Sequence, residues 1–110
     1  MLAYTPIMFA CDGNYRDVTI RGHVLDSLTG KSVAGSEINI TCWVFDTKIW
    51  ESRKVIKDTL ADANGNFLIP FERGEAIDVV VRHPDYRTLK YSKTLDRSTN
   101  EVDLRLPRVE

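Results

Sequence analysis

The chain has 110 residues, enough for one ordinary domain, and its 43% hydrophobic content can build a single core without metals or many disulfides. Although 28% of the residues are charged, the net charge is only −1, so no strong field is present to steer nucleic acid or an anionic membrane surface. No apolar run approaches the roughly 18 residues of a transmembrane helix, which restricts any membrane attachment to a lipid anchor.

Residues 2 to 10 carry no charged side chain and run directly into Cys11, Asp12 and Gly13. The stretch resembles the apolar region and cleavage box of a bacterial lipoprotein signal, with the small Ala10 just before Cys11. Met8 and Phe9 fit that box loosely, and the basic start is missing. Two readings stand side by side: a signal remnant with Cys11 as the lipidated residue, or an apolar terminal strand packed on the domain. The segment 1–16 is therefore set apart from a folded domain over 17–107.

In that domain Val18, Ile20 and Val24 alternate with Thr19, Arg21 and His23, the period of a half-buried strand, and Gly22 marks a bulge or a close approach. Residues 26–31 supply turn chemistry, with Gly30 able to take positive φ, and Gly35 opens the next strand. There Ile38, Ile40, Cys42 and Val44 form one row, while Asn39, Thr41, Trp43 and Phe45 fall on the other face. Cys42 fits a small buried thiol, and a bridge to Cys11 is the alternative; no C-x-x-C pair or zinc-ligand spacing is present. Residues 46–57 read as a loop leading into a strand through Val55, in preference to a short helical turn.

Asn64-Gly65 is the clearest local signal, a hairpin turn in which both residues tolerate positive φ, and Phe67, Ile69 and Phe71 follow at strand period. Residues 77–82 have the β-branched density of a central strand, ended at Pro84. A strand through Leu89 and Tyr91 and a last strand with Val102, Leu104 and Leu106 complete the series. About seven short strands with no long helix predict an all-β, antiparallel Greek-key sandwich with Val18, Ile20, Val24, Ile38, Ile40, Val44, Phe67, Ile69, Val79, Val81, Val102 and Leu104 between its sheets.

One ordered set of residues is more specific: Gly22-x-Val24-x-Asp26, Thr29-Gly30, Val33-Ala34-Gly35, and Thr59-x-x-Asp62-x-Asn64-Gly65-x-Phe67. From about Val18 to Leu106 the chain resembles the carboxypeptidase regulatory-like domains, which share a transthyretin-like (prealbumin-like) sandwich. The resemblance implies that fold, and an accessory module of the cell envelope, periplasmic or extracellular, that holds or presents other parts. The hydroxyisourate hydrolases of the same fold need histidines, arginines and a C-terminal Tyr-Arg-Gly-Ser, whereas this chain ends Leu106-Pro107-Arg108-Val109-Glu110. Pilus relatives link a first-strand lysine to a last-strand asparagine, but the first strand here offers Arg21 and no lysine.

No catalytic, cofactor or metal site is expected. His23 and His83 read as surface or turn residues, and no serine or cysteine sits beside an activating partner in sequence. Asp62, Asn64 and Asn66 have the alternating oxygens of a calcium loop without its glycine and glutamate positions. Asn39-Ile40-Thr41 is a glycosylation sequon inside a strand and is assigned no role. The expected interaction face is Trp43, Phe45 and Trp50 with Asn39 and Thr41, serving a protein or glycan partner; the competing reading is burial under a loop or under Tyr4, Ile7 and Phe9. A small-ligand or carbohydrate binder using those aromatics is the alternative function, and a hydrolase stands third.

Overall fold

The computed structural model describes residues 15–46 and 48–109. Seven strands are present: β1 (Tyr15–Asp26), β2 (Glu37–Asp46), β3 (Glu51–Leu60), β4 (Asn66–Gly74), β5 (Ala76–His83), β6 (Tyr86–Thr94) and β7 (Thr99–Leu106). They form two sheets, one ordered β4-β1-β7 and the other β3-β2-β5-β6. The expected all-β sandwich is thus the observed architecture.

Every side chain expected between the sheets is buried, because each strand turns one row of its period inward. Val18, Ile20 and Val24 of β1 meet Ile38, Ile40 and Cys42 of β2 and Val79 and Val81 of β5 in one core. Two strands stand apart from this rule. β3 contributes nothing buried, and β6 has no buried side chain either, its apolar Tyr86, Leu89 and Tyr91 being half-buried against the core. Both are sheet edges.

Two expectations need correction. The first and last strands, β1 and β7, pair in parallel, with Gly22 opposite Val102, so the smaller sheet is mixed while every other pairing is antiparallel. The Asn64-Gly65 turn is not a hairpin, because the strands it joins, β3 and β4, lie in different sheets. Only Gly65 takes positive φ there, at 77°. The turn is closed instead by Asp62, whose Oδ1 accepts from the amides of Asn64 (2.9 Å) and Asn66 (2.8 Å).

The residues of the ordered motif, far apart in sequence, meet at one place. Gly22 lies directly opposite Phe67, and the ring covers it so closely that a Cβ there would stand 2.1 Å from Phe67 Cζ. The Val24 amide donates to Gly65 O (2.8 Å), and the Val33 amide donates to Val24 O (2.9 Å). Asp26, buried at the end of β1, accepts four hydrogen bonds: Leu28 N (2.7 Å) and Thr29 N (3.0 Å) on Oδ1, Tyr86 Oη (2.8 Å) and Arg108 Nε (2.9 Å) on Oδ2. It therefore ties the Gly30 turn, β6 and the C-terminal residues together.

Candidate functional site

The outer face of the four-stranded sheet carries the expected residues. Because Ile38, Ile40, Cys42 and Val44 point inward, Asn39, Thr41, Trp43 and Phe45 face outward, as strand geometry requires. All four are half-buried. Across the register, Trp43 sits opposite Lys54 of β3, Thr41 opposite Asp78 of β5, and Asp78 opposite Ser92 of β6.

These neighbours form a polar band that sequence reasoning missed. Trp43 Nε1 donates to Asp78 Oδ2 (2.7 Å), and Ser92 Oγ donates to Asp78 Oδ1 (2.6 Å). The Ser92 hydroxyl first, and the indole second, hold the Asp78 carboxyl below its usual range. Lys54 Nζ stands 5.9 Å from the Trp43 ring centroid, and Asn39 Nδ2 donates to Asp58 Oδ1 (2.6 Å). Trp43 is thus fixed by β3, β5 and β6, and its cover is partly its own sheet. Tyr4, Ile7, Phe9 and Cys11 lie outside the described residues.

Trp50 behaves differently. It sits at the end of the β2–β3 turn, is 77% exposed, and takes a φ of 55°, a left-handed conformation that is unusual for any bulky residue. Phe45 meets its ring edge to face, with centroids 5.8 Å apart and planes at 69°. The segment after it is strand rather than helical turn, and Ile49, next to Trp50, is 52% exposed. The described residues leave Trp50 largely uncovered, so its ring is open to a partner from their side, while burial under Tyr4, Ile7 or Phe9 falls outside them.

The other candidates resolve into structural roles. His23 Nε2 lies 2.8 Å from Ser32 Oγ and 3.1 Å from Asn64 O, and His83 Nδ1 accepts from the Asp85 amide (3.1 Å). Cys42 is a free thiol, fully buried, while Cys11, its alternative bridge partner, lies outside the described residues; burial pushes the Cys42 pKa up to about 11, against a smaller opposing pull from Lys57. Such a thiol is protonated at neutral pH and is a poor nucleophile. Among the described residues, no three His, Cys, Asp or Glu side chains gather as a metal site would require.

No family model and no curated protein matches this chain. Solved structures do. The hydroxyquinol 1,2-dioxygenase of Pseudomonas putida DLL-E4 aligns with a TM-score of 0.67 at 10% identity, covering 86% of this chain and 57% of that one. The 3-chlorocatechol 1,2-dioxygenase of Rhodococcus opacus 1CP gives a TM-score of 0.67 at 10% identity, with 84% and 59% covered. A 9R-lipoxygenase from Cyanothece PCC8801 aligns with a TM-score of 0.53 at 18% identity over 17% of its length. The chain spans a little over half of the dioxygenases, and at these identities the likeness shows a shared sandwich fold alone.

Proposed function

We propose that this domain is a non-catalytic interaction module of the cell envelope, which holds a protein or glycan partner against the β2–β3 turn and the adjoining outer face. The observation that carries this reading is Trp50: a large aromatic, 77% exposed, kept in a backbone conformation that costs a residue with a Cβ about 1–2 kcal/mol. Glycine would fit there without that cost. Strain kept at an exposed aromatic belongs with a surface in use, and tryptophan is the residue type that most often anchors an interface. The envelope part of the reading is supported by the lipoprotein-like residues before Asp12 and by the regulatory-like motif. A glycan is the second reading, since the Phe45 and Trp50 rings offer apolar faces on which a sugar could stack.

Co-sedimentation of the intact chain with isolated envelopes of its native source tests this. The parent chain should sediment and Trp50→Gly should not, although the variant should be as stable as the parent: relief of about 1 kcal/mol of strain offsets the lost edge contact of about 0.5–1.5 kcal/mol. Protease treatment of the envelopes should abolish sedimentation if the partner is a protein and spare it if the partner is a glycan. Equal sedimentation of parent and variant would overturn the reading.

A further inference from the structure

We propose that β3 is a docking edge for an extended segment of a partner protein in which two acidic residues flank an apolar one at alternate positions. This rests on the interaction-module reading and names the chemistry of its partner. β3 ends its sheet and pairs with β2 alone. It is also the edge with the most exposed apolar surface: Val55 is 43%, Ile56 53% and Leu60 62% exposed. The other edges are less open to an added strand. Pro70 interrupts β4, an isolated bridge from Tyr86 to Arg108 crosses the start of β6, and the apolar residues Val102, Leu104 and Leu106 of β7 are buried.

Beside the inward row of β3, a cleft of about 240 Å³ opens between the edges of the two sheets. The buried Val44 and Phe71 make its floor, Arg53, Val55 and Lys57 line it from β3, and Arg73 with Glu72 lines it from β4. Three cations therefore line the cleft with one carboxylate, Glu72, and a second, Asp46, stands close to Arg53. Lys57 Nζ donates to Pro70 O and stands 4.9 Å from the Phe71 centroid, which leaves further donors of the ammonium for a ligand. Arg53 lies 3.6 Å from Asp46 with 60% of its side chain exposed, so its guanidinium also keeps donors to spare.

Spacing converts this charge into a sequence preference. Arg53 and Lys57 lie on the same side of the strand about 13 Å apart, with Val55 between them. A strand added to β3 places its residues directly opposite these three, with Cβ atoms about 5 Å apart. Acidic residues opposite Arg53 and Lys57, and an apolar residue opposite Val55, satisfy the row; the pattern reads the same in both chain directions. Main-chain hydrogen bonds along the free edge would supply affinity, and the alternate side chains specificity. A second copy fits less well. Antiparallel pairing about Ile56 sets Lys54 against Asp58 on the outer face, but on the inner one it sets Arg53 opposite Thr59 and Lys57 opposite Val55, so that each Lys57 is diagonal to the Lys57 and the Arg53 of the other copy with no acidic side chain in the row. Residues 1 to 11 contain no acidic side chain and do not match the pattern.

The test is a titration of the isotope-labelled intact chain with a short capped peptide, followed by amide exchange. The peptide carries two aspartates flanking a valine at alternate positions, with threonines elsewhere. Saturable shifts should map to β3, alternate β3 amides should exchange more slowly, and a peptide with lysines in place of the aspartates should not bind. The double variant Arg53→Glu with Lys57→Glu should weaken binding on the order of tenfold, as expected for two partly exposed ion pairs. Arg53→Gln with Lys57→Gln serves if the reversed pair fails to fold, and should weaken binding in the same direction. Unchanged β3 exchange, or binding indifferent to both double variants, overturns the proposal. So does β3 protection that grows with protein concentration in the absence of peptide, which would assign the edge to a second copy. If the peptide fails while Trp50→Gly still abolishes envelope binding, the edge inference falls and the interaction-module reading stands.

Discussion

Gly65 and Gly30 share a left-handed backbone, with φ of 77° and 73°, and differ only in what surrounds them. A Cβ at Gly65 would lie 2.7 Å from the carbonyl oxygen of Val24, whereas at Gly30 nothing stands within 4 Å. The two positions therefore separate backbone strain from steric conflict. Gly30→Ala should cost about 1 kcal/mol, the price of φ alone. Gly65→Ala should cost distinctly more, about 2–4 kcal/mol, because the obstructing atom is backbone and cannot rotate away. Urea denaturation midpoints check this, and equal losses at both sites would refute it. The need for glycine at both turns was legible in the sequence, since turn chemistry is local. Asp26 was not legible as a hub, because two of its four donors, Tyr86 and Arg108, arrive from the far end of the chain. Trp50 was legible as a candidate but not as exposed, because residue type does not reveal whether a neighbour covers it.

At the scale of elements, the inward rows of β1, β2, β4, β5 and β7 could be read from period alone, since each buries alternate side chains. What period cannot give is the partner. The Asn64-Gly65 turn looks like a hairpin because the same chemistry turns a chain whether it returns beside itself or crosses to a second sheet. A clue lay in β3, whose inward row of Arg53, Val55, Lys57 and Thr59 is too polar for a strand central to a core. The Gly22 and Phe67 pair shows two distant motif residues acting as one unit, a glycine in a strand covered by the ring of its cross-strand partner. Gly22→Ala should cost about 2–3 kcal/mol as overpacking, since a Cβ would overlap the ring. In a Phe67→Leu background the same change should cost at least 1 kcal/mol less, a coupling a double-mutant cycle resolves. Strict additivity of the two changes would mean that the motif residues are independent, and the cross-strand account of the motif would fail.

At the scale of the whole molecule, Asp26 joins parts that hold the sandwich closed: the end of β1 in one sheet, Tyr86 of β6 in the other, and Arg108 of the C-terminal residues. Its carboxyl is held far below the ordinary value of 3.8, first by the Thr29 amide and then by Tyr86, Leu28 and Arg108, against the opposing effect of burial. A group whose folded pKa is depressed contributes stability that is complete above its unfolded pKa and is lost as pH falls through the folded one. The Asp26 contribution is therefore whole at neutral pH and erodes below about pH 4. Tyr86 reports the same bond from the other side. The carboxylate of Asp26, then burial, raises its pKa above 10.0, so the phenol's share of stability is present at neutral pH and is lost as pH rises through the alkaline range. Melting temperature followed across pH should show an acid limb and an alkaline limb that fail for different reasons. Asp26→Asn keeps an acceptor for the Gly30 turn but sets an amide nitrogen against Tyr86 and Arg108, so it should lower Tm at neutral pH and converge on the parent as pH falls. Asp78, also held low by Ser92 and Trp43, is untouched and should leave a residual acid slope in the variant. Tyr86→Phe should flatten the alkaline limb and leave most of the acid limb in place, since three of the four donors to Asp26 survive. A gap between Asp26→Asn and parent that stays constant from neutral to acid pH would show that the carboxylate's charge is not what joins the two sheets.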